Sequence, residues 1–349
     1  QFGSDGLAGA VSFRTLAPQD LLGADKTSAA FVRGSYASVD KSFASTLGLA
    51  GKSGAWQTLL LGSYRNGHEL ANRGGNQAQD SRRTAPNPMH YDNRYLLGKL
   101  FYAVSSAQQW GLSLESQQRK QDAEVYSARA VPPLTASSTL DLDTHDVIKR
   151  ERVMLEHHFK DQAAAIQRLD TRLMWQDATV SQFASEDRNT SLDRTRDNRY
   201  RTRVSGFSTQ AQSQFGGTQG GVSQRVSGGL DWSQADISGV RDGTVPPFGE
   251  TFPAKPFPDT RYTLSGAFLQ NEVELGSVSL IPALRFDQYR LSPDATGYPG
   301  KPAALSDHAW TPRLGAVWQV APGFAPFAQW SRGFRAPTPD QVNNGFTNL

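Results

Sequence analysis

The sequence has 349 residues, of which 38% are hydrophobic and 20% charged, and its formal net charge is +3. It contains no cysteine, which excludes disulfides and thiolate metal sites. The basic residues are spread along the chain rather than massed in one patch, which argues against nucleic-acid binding. No apolar run approaches the 18 or more residues of a membrane helix. The mean hydropathy of −0.51 still permits a membrane β-barrel, whose strands need apolar residues only at alternate positions.

The chain opens with a glycine-rich stretch at residues 3–14, in which Gly3, Gly6 and Gly9 recur before Phe13 and Arg14. A generic glycine-rich turn is one interpretation of it. It is not a phosphate-binding loop, because no Gly-Lys-Ser/Thr follows and the glycine spacing differs from that of a dinucleotide site.

From about Ala30 to Arg335, polar and apolar residues alternate in roughly thirteen segments, which is the period of β-strands. In the clearest segment, Trp310, Leu314 and Trp318 share one face, whereas Arg313 and Gln319 lie on the other. A face that holds arginine cannot be a dry core, so it must contact water or polar protein. We therefore predict an all-β fold, an antiparallel up-and-down transmembrane β-barrel whose polar face lines the lumen.

The links between these segments are alternately short and long after a first hairpin near residues 39–41. Such alternation predicts short turns on the periplasmic side and long loops on the outward side. The predicted short links are at about 52–54, 105–109, 161–163, 216–221, 276–277 and 321–323. The predicted long links are at about 66–93, 128–143, 184–198, 241–260 and 291–308.

Aromatic residues fall near the segment ends. Trp310 and Trp318 are eight residues apart, roughly 26 Å along a strand. At a tilt of about 40° this separation spans roughly 20 Å of height, close to the apolar band of an outer membrane. The simpler explanation, that tryptophan and tyrosine favour strands, accounts for single pairs but not for their repeated placement at the ends.

Four of the six histidines, His68, His90, His145 and His308, lie in or beside predicted outward loops. A neutral imidazole could ligate iron there, although a solvated loop histidine is the simpler interpretation of each. His157 and His158 are adjacent in a strand and point to opposite faces, so they cannot jointly bind one metal from that strand.

No catalytic residues are predicted. The sequence contains neither a nucleophile elbow nor a paired-carboxylate site, so we do not expect an enzyme.

Near the end of the sequence lies the motif Phe334-Arg335-Ala336-Pro337-Thr338-Pro339, which we call the box. Its two prolines cannot donate to a β-ladder, so a strand must end there. We therefore expect the box to lie at the outward rim, where a long loop begins.

Two stretches resemble the TonB-dependent outer-membrane receptors. Residues 3–14 look like the end of the plug domain, where a glycine-rich turn leads into the last plug strand. The box is similar to the Phe-Arg-Ala-Pro box of the haem, haemoglobin and haemophore receptors, and siderophore receptors carry a looser version of it. The continuation at residues 340–346 resembles the haem branch more closely.

The resemblance implies a domain division and a location. Residues 1–22 would be the C-terminal end of the plug, and residues 23–349 the N-terminal part of a 22-stranded barrel in the bacterial outer membrane. Gln1 is not an initiator and no signal peptide precedes it. Leu349 ends a stretch rich in asparagine and glycine. We therefore expect the sequence to be a fragment, lacking a substantial part on both sides.

The resemblance also implies a function: uptake of haem from a carrier such as haemoglobin or a haemophore, powered by the TonB complex. Haem would be the transported ligand and not a permanently bound cofactor. The expected haem-ligating histidine lies beyond Leu349, and a second lies in the plug before Gln1, so neither role is transferred to other histidines. The alternatives are a ferric-siderophore receptor of the same fold and, less favoured, a passive porin.

Overall fold

The computed structural model describes residues 14–23, 25–216 and 221–343, so the plug-end glycines Gly3, Gly6 and Gly9 lie outside the described residues. The described residues form one antiparallel sheet of 13 strands, in which every strand pairs with its neighbour in sequence. The strands are β1 (Ser28–Ala37), β2 (Ser42–Ser53), β3 (Trp56–His68), β4 (Met89–Ala103), β5 (Gln108–Glu124), β6 (Thr139–Lys160), β7 (Arg168–Arg188), β8 (Arg194–Gly216), β9 (Ser223–Gly243), β10 (Asp259–Leu275), β11 (Val278–Asp294), β12 (Leu305–Trp318) and β13 (Phe327–Ser331). Two four-residue helices, α1 (Pro18–Leu21) and α2 (Pro339–Val342), flank the sheet in sequence. The all-β up-and-down architecture is thus confirmed.

The predicted alternation of links holds, with one instructive exception. The link predicted at 184–198 is a turn of only five residues, because β7 and β8 extend to Arg188 and from Arg194. Likewise, the link predicted at 291–308 shrinks because β11 reaches Asp294 and β12 starts at Leu305. Beyond the membrane both faces of a strand contact water, so the polar–apolar contrast disappears from the sequence while the hydrogen-bonded ladder continues.

The sheet is apolar on its exposed face and polar on its sheltered face, the reverse of a water-soluble sheet. On β5, Leu112 and Leu114 are 37% and 50% exposed, whereas Ser113 and Glu115, which alternate with them, are each 6% exposed. The facing predicted from the alternation is therefore confirmed. We call the leucine side the outer face and the other side the inner face.

The register shows how far the strands tilt. A line of directly opposed residues runs from Trp110 on β5 through Leu230 on β9 to Trp310 on β12. Trp110 lies next to a short turn, whereas Trp310 lies eight residues from the short turn after β12. Seven interstrand steps of about 4.8 Å, tilted by about 40°, raise this line by roughly 22 Å. This rise approximates the height of an outer-membrane apolar band, so the two tryptophans lie at opposite interfaces.

The described residues contain no helix that is long and apolar enough to cross a membrane.

Candidate functional site

The inner face carries a network of ion pairs across neighbouring strands. Glu115 on β5 accepts from both Arg150 and Arg152 of β6, the latter at 2.6 Å. On β9 and β11, Arg285 is 4% exposed and donates to Asp231 at 2.8 and 2.9 Å and to Asp287 at 2.8 Å. Because these charges are sheltered and paired, they hold the wall in register and keep the lumen polar.

Several buried polar atoms of the inner face have no hydrogen-bond partner in the described structure. Burial without a partner costs free energy, so such atoms are rare in folded proteins. Six of the eight such atoms in the described residues lie on the inner face, so this wall can hydrogen-bond polar material inside the barrel. They are Asn93 Oδ1, Ser113 Oγ, Arg150 Nε, Asn198 Oδ1, Arg241 Nε and Arg313 Nε.

The described segment before β1 lies on the inner face. Leu21 and Leu22, at the end of α1, pack against a small apolar cluster of Ala50, Leu59, Leu61 and Leu97. Lys99 on β4 also donates to the Thr15 carbonyl at 3.4 Å. This segment is therefore fixed to the wall by apolar packing and a charged hydrogen bond.

A buried polar cluster surrounds Asp40, which lies in the hairpin between β1 and β2 at the extracellular end of the sheet. The cluster lies on the inner face. The Asp40 carboxylate accepts from the Tyr91 hydroxyl at 2.7 Å and from Arg65 at 3.1 Å. The backbone N–H of Ser42 donates to the same group at 3.2 Å. Hydrogen bonds from Ser42 and Tyr91, aided by the Arg65 charge, lower the Asp40 pKa to about 2. The cluster fixes the first outward hairpin to the wall.

The box follows β13, which ends at Ser331 and not at the prolines. The Phe334 ring lies 6.0 Å from the ring of Tyr289 on β11, and Ala336 is only 1% exposed. After Thr338 the chain forms α2, and the Asn343 side chain then both accepts from the Ala303 N–H (2.7 Å) and donates to its carbonyl (2.9 Å). Since Tyr289 points to the inner face, the box folds back over the wall beside the outward loops.

Three of the four candidate histidines lie together, but on the outer face. Direct cross-strand partners form the row His68, His90, Asp122, His145 and Phe183 on β3–β7. His68 and His90 have ring centroids 5.5 Å apart, and His145 Nδ1 lies 2.5 Å from Asp122 Oδ1. They border a shallow depression. The row lies twelve residues outward from Trp110 along β5, well beyond the lipid-facing band.

The remaining histidines are separate from this row. His308 on β12 also lies on the outer face of the sheet, with its ring 5.8 Å from that of Phe286. His157 and His158 lie on opposite faces, as the sequence predicted: His157 packs on Trp110, and His158 bonds Asp170 on the inner face at 2.7 Å. Among the residues with described coordinates, no group of three or more His, Cys, Asp or Glu could hold a metal ion.

The sequence predicted some inner-face residues and missed others. Arg172, Arg285 and Arg313 point into the lumen, as the alternation indicated. Lys99 and Glu156 were missed, although both are buried on the inner face. Their positions between lipid-facing residues such as Leu100 and Leu155 were the signal that could have found them.

The comparisons with known proteins agree with this geometry. The model of the "TonB dependent receptor-like, beta-barrel" family matches residues 63–349. No curated protein sequence gives a significant match.

Several solved structures share the fold. The FrpB iron transporter from Neisseria meningitidis (F5-1 variant) is 17% identical with a TM-score of 0.68, over 93% of this chain and 49% of the transporter. The haemophore receptor HasR of Serratia marcescens, in complex with its haemophore HasA and haem, is 16% identical with a TM-score of 0.67, over 95% and 49% of the two chains. The siderophore receptor PirA from Acinetobacter baumannii is 13% identical with a TM-score of 0.60, over 92% and 44%.

The chain thus spans about half the length of the solved structures that it resembles. The family match covers most of this chain, and the sheet has the inside-out polarity of a membrane barrel. The chain therefore belongs to the TonB-dependent receptor-like β-barrel family, whose members are transport receptors of the bacterial outer membrane rather than enzymes.

Proposed function

We propose that this chain forms the first part of the barrel wall of a receptor that imports haem taken from haemoglobin or a haemophore. The observation that carries the proposal is the box, Phe334 to Pro339, with its continuation from Asp340. Siderophore receptors have a looser version of this motif. HasR, whose solved structure is a complex with a haemophore and haem, shares the fold, which supports the proposal at the level of architecture.

The packing of the box explains why particular residue types stand at its positions. Ala336 is buried where a longer side chain would displace the segment from the wall, and the Phe334 ring packs at a tilt against the Tyr289 ring. Pro339 begins α2 and so directs the chain toward the Asn343–Ala303 contact. The motif therefore holds an outward loop against the inner face, where an incoming ligand passes.

In this proposal the wall supplies polar lining and the haem ligands come from other parts of the receptor. The described histidines lie on the outer face of the sheet, apart from His158, which lies on the inner face at the periplasmic end. The iron ligands would then be the histidines that the resemblance places after the box and in the plug. Residues 1–22 would be the end of that plug, which agrees with the packing of Leu21 and Leu22 on the inner face. TonB, acting on the plug, would release the haem inward.

The test uses the complete receptor. Titration with haem should shift its Soret band, and a strain that depends on this receptor should grow with haemoglobin as its only iron source. A ferric siderophore should give neither binding nor growth. Binding of a ferric chelate without a Soret shift would instead establish the siderophore alternative, for which the similarity to PirA is the support.

A further inference from the structure

The last strand pair before the longest outward loop consists of two histidines. His68 ends β3 and is the direct partner of His90 near the start of β4. Residues 69–88 between these strands form the longest link in the described sheet. Both imidazoles are exposed on the outer face, beyond the lipid-facing band. We call this pair the neck of the loop.

The two imidazoles have the separation that a shared metal ion requires. Opposed residues of an antiparallel pair have Cβ atoms about 4.5–5.5 Å apart, so both rings can reach one point above the sheet. A tetrahedral ion bound to two imidazoles at about 2.0–2.1 Å holds their ring centres roughly 5 Å apart. The ring centroids of His68 and His90 are 5.5 Å apart, and their planes differ by 64°. Rotation of the rings therefore brings one nitrogen of each to a common ion without movement of the backbone.

The surroundings of the neck attract cations. The neck borders a depression of about 630 Å³ that also contains the carboxylates of Glu69, Asp122, Glu124 and Asp143. Among the described residues that line this depression there is neither a lysine nor an arginine. The local field therefore favours a cation and opposes an anion.

The histidines of the neck, and not these carboxylates, converge on one point. Glu69 accepts from the backbone N–H of Met89 at 3.0 Å, and Asp122 Oδ1 lies 2.5 Å from His145 Nδ1. In the part of the chain that the structure describes, no group of three or more potential ligands could hold a metal ion. An ion at the neck therefore has two protein ligands, and water completes its coordination.

We propose that His68 and His90 bind one divalent transition-metal ion, which ties β3 to β4 at the neck of the loop. Imidazole nitrogen suits ions such as Zn²⁺, Ni²⁺ and Cu²⁺, whereas Ca²⁺ and Mg²⁺ take oxygen ligands. A metal cross-link removes more conformational freedom where it closes a longer loop. The bound ion stops the terminal strand pair from fraying and holds the base of the loop in place. Since the site lies outside the lumen, it is independent of what the receptor transports.

The complete receptor, without an affinity tag and treated with a chelator, can be titrated with Zn²⁺ by calorimetry in detergent. We expect His68→Ala and His90→Ala each to weaken binding at one site at least about tenfold, because a single imidazole remains. An equal concentration of Ca²⁺ should not compete. In wild type, Zn²⁺ should slow hydrogen exchange severalfold at residues 66–68 and 90–92, because a tied strand end opens less often. Neither variant should show this protection.

Two matched controls each remove a histidine of the outer face that lies outside the neck. His145→Ala, in the same depression, and His308→Ala, on β12, should leave Zn²⁺ affinity within about twofold of wild type. Heat-modified gel migration verifies that each variant folds.

The proposal is wrong if the wild type binds no Zn²⁺ at millimolar concentration, or if neither neck variant weakens binding. It is also wrong if His145→Ala weakens binding as much as His68→Ala, or if Ca²⁺ displaces Zn²⁺, because the ligands would then be other groups of the depression. Zn²⁺ binding that leaves exchange at the neck unchanged would refute the cross-link between β3 and β4.

Discussion

The variant Leu314→Arg tests whether the outer face of β12 contacts lipid. Leu314 on β12 is 51% exposed and lies midway between Trp310 and Trp318, four residues from each. Four residues along a strand tilted by about 40° correspond to a depth of about 10 Å from either interface. An arginine at this midplane should destabilise the barrel by about 2–4 kcal/mol.

His308→Arg is the matched control, since His308 faces the same side of the same strand six residues further out. There the side chain reaches water, so the cost should be about 0–1 kcal/mol. The assay is a denaturant titration of the complete receptor refolded into phospholipid vesicles, with the folded fraction read by gel migration. Equal losses of unfolding free energy for the two variants would refute the depth assignment. A larger loss for His308→Arg would mean that His308, and not Leu314, lies near the membrane midplane.

Three further predictions concern the inner face and the histidine row. The pKa of Asp40 is lowered to about 2. The stability that its charged form contributes is therefore complete above the ordinary aspartate pKa near 4 and is lost as the pH falls toward 2. Asp40→Asn should abolish this acid dependence, measured by hydrogen exchange of the first hairpin. Glu115→Gln should cost about 1–3 kcal/mol in the same refolding assay, because it leaves two sheltered arginines without their shared carboxylate. Replacing His68, His90 and His145 together by alanine should leave haem affinity unchanged in a Soret titration, because all three face away from the lumen.

The sequence predicted the class of the fold and the facing of its strands because a lipid-exposed sheet imposes a strict period of two. It did not predict where the strands end on the outward side. Residues 184–186 and 194–196 were assigned to a loop, yet they pair with each other in register at the extracellular end of β7 and β8. Beyond the membrane, water contacts both faces of a strand. Polar and apolar residues then no longer need to alternate, although the backbone hydrogen bonds between strands continue.

The box shows a second limit of sequence reasoning. Two prolines indicated that a strand ends near residue 337, and β13 in fact ends at Ser331. The return of the following segment onto Tyr289 and Ala303 could not be predicted, because these contacts join residues about 40 positions apart and depend on the curvature of the whole wall. A local motif can therefore indicate where a strand stops but not where the chain goes next.

Strand parity determines on which face of the sheet each histidine lies. On β6 the lipid-facing residues Val153 and Leu155 are odd-numbered, and His145 has the same parity, so it must face outward unless a bulge intervenes. The register shift in the β6–β7 pairing lies at Thr139 and Asp141, beyond His145. The same argument places His308 on the side of Trp310. A side chain on the outer face cannot reach a ligand inside the barrel, so parity alone excludes these histidines from binding a ligand in the lumen.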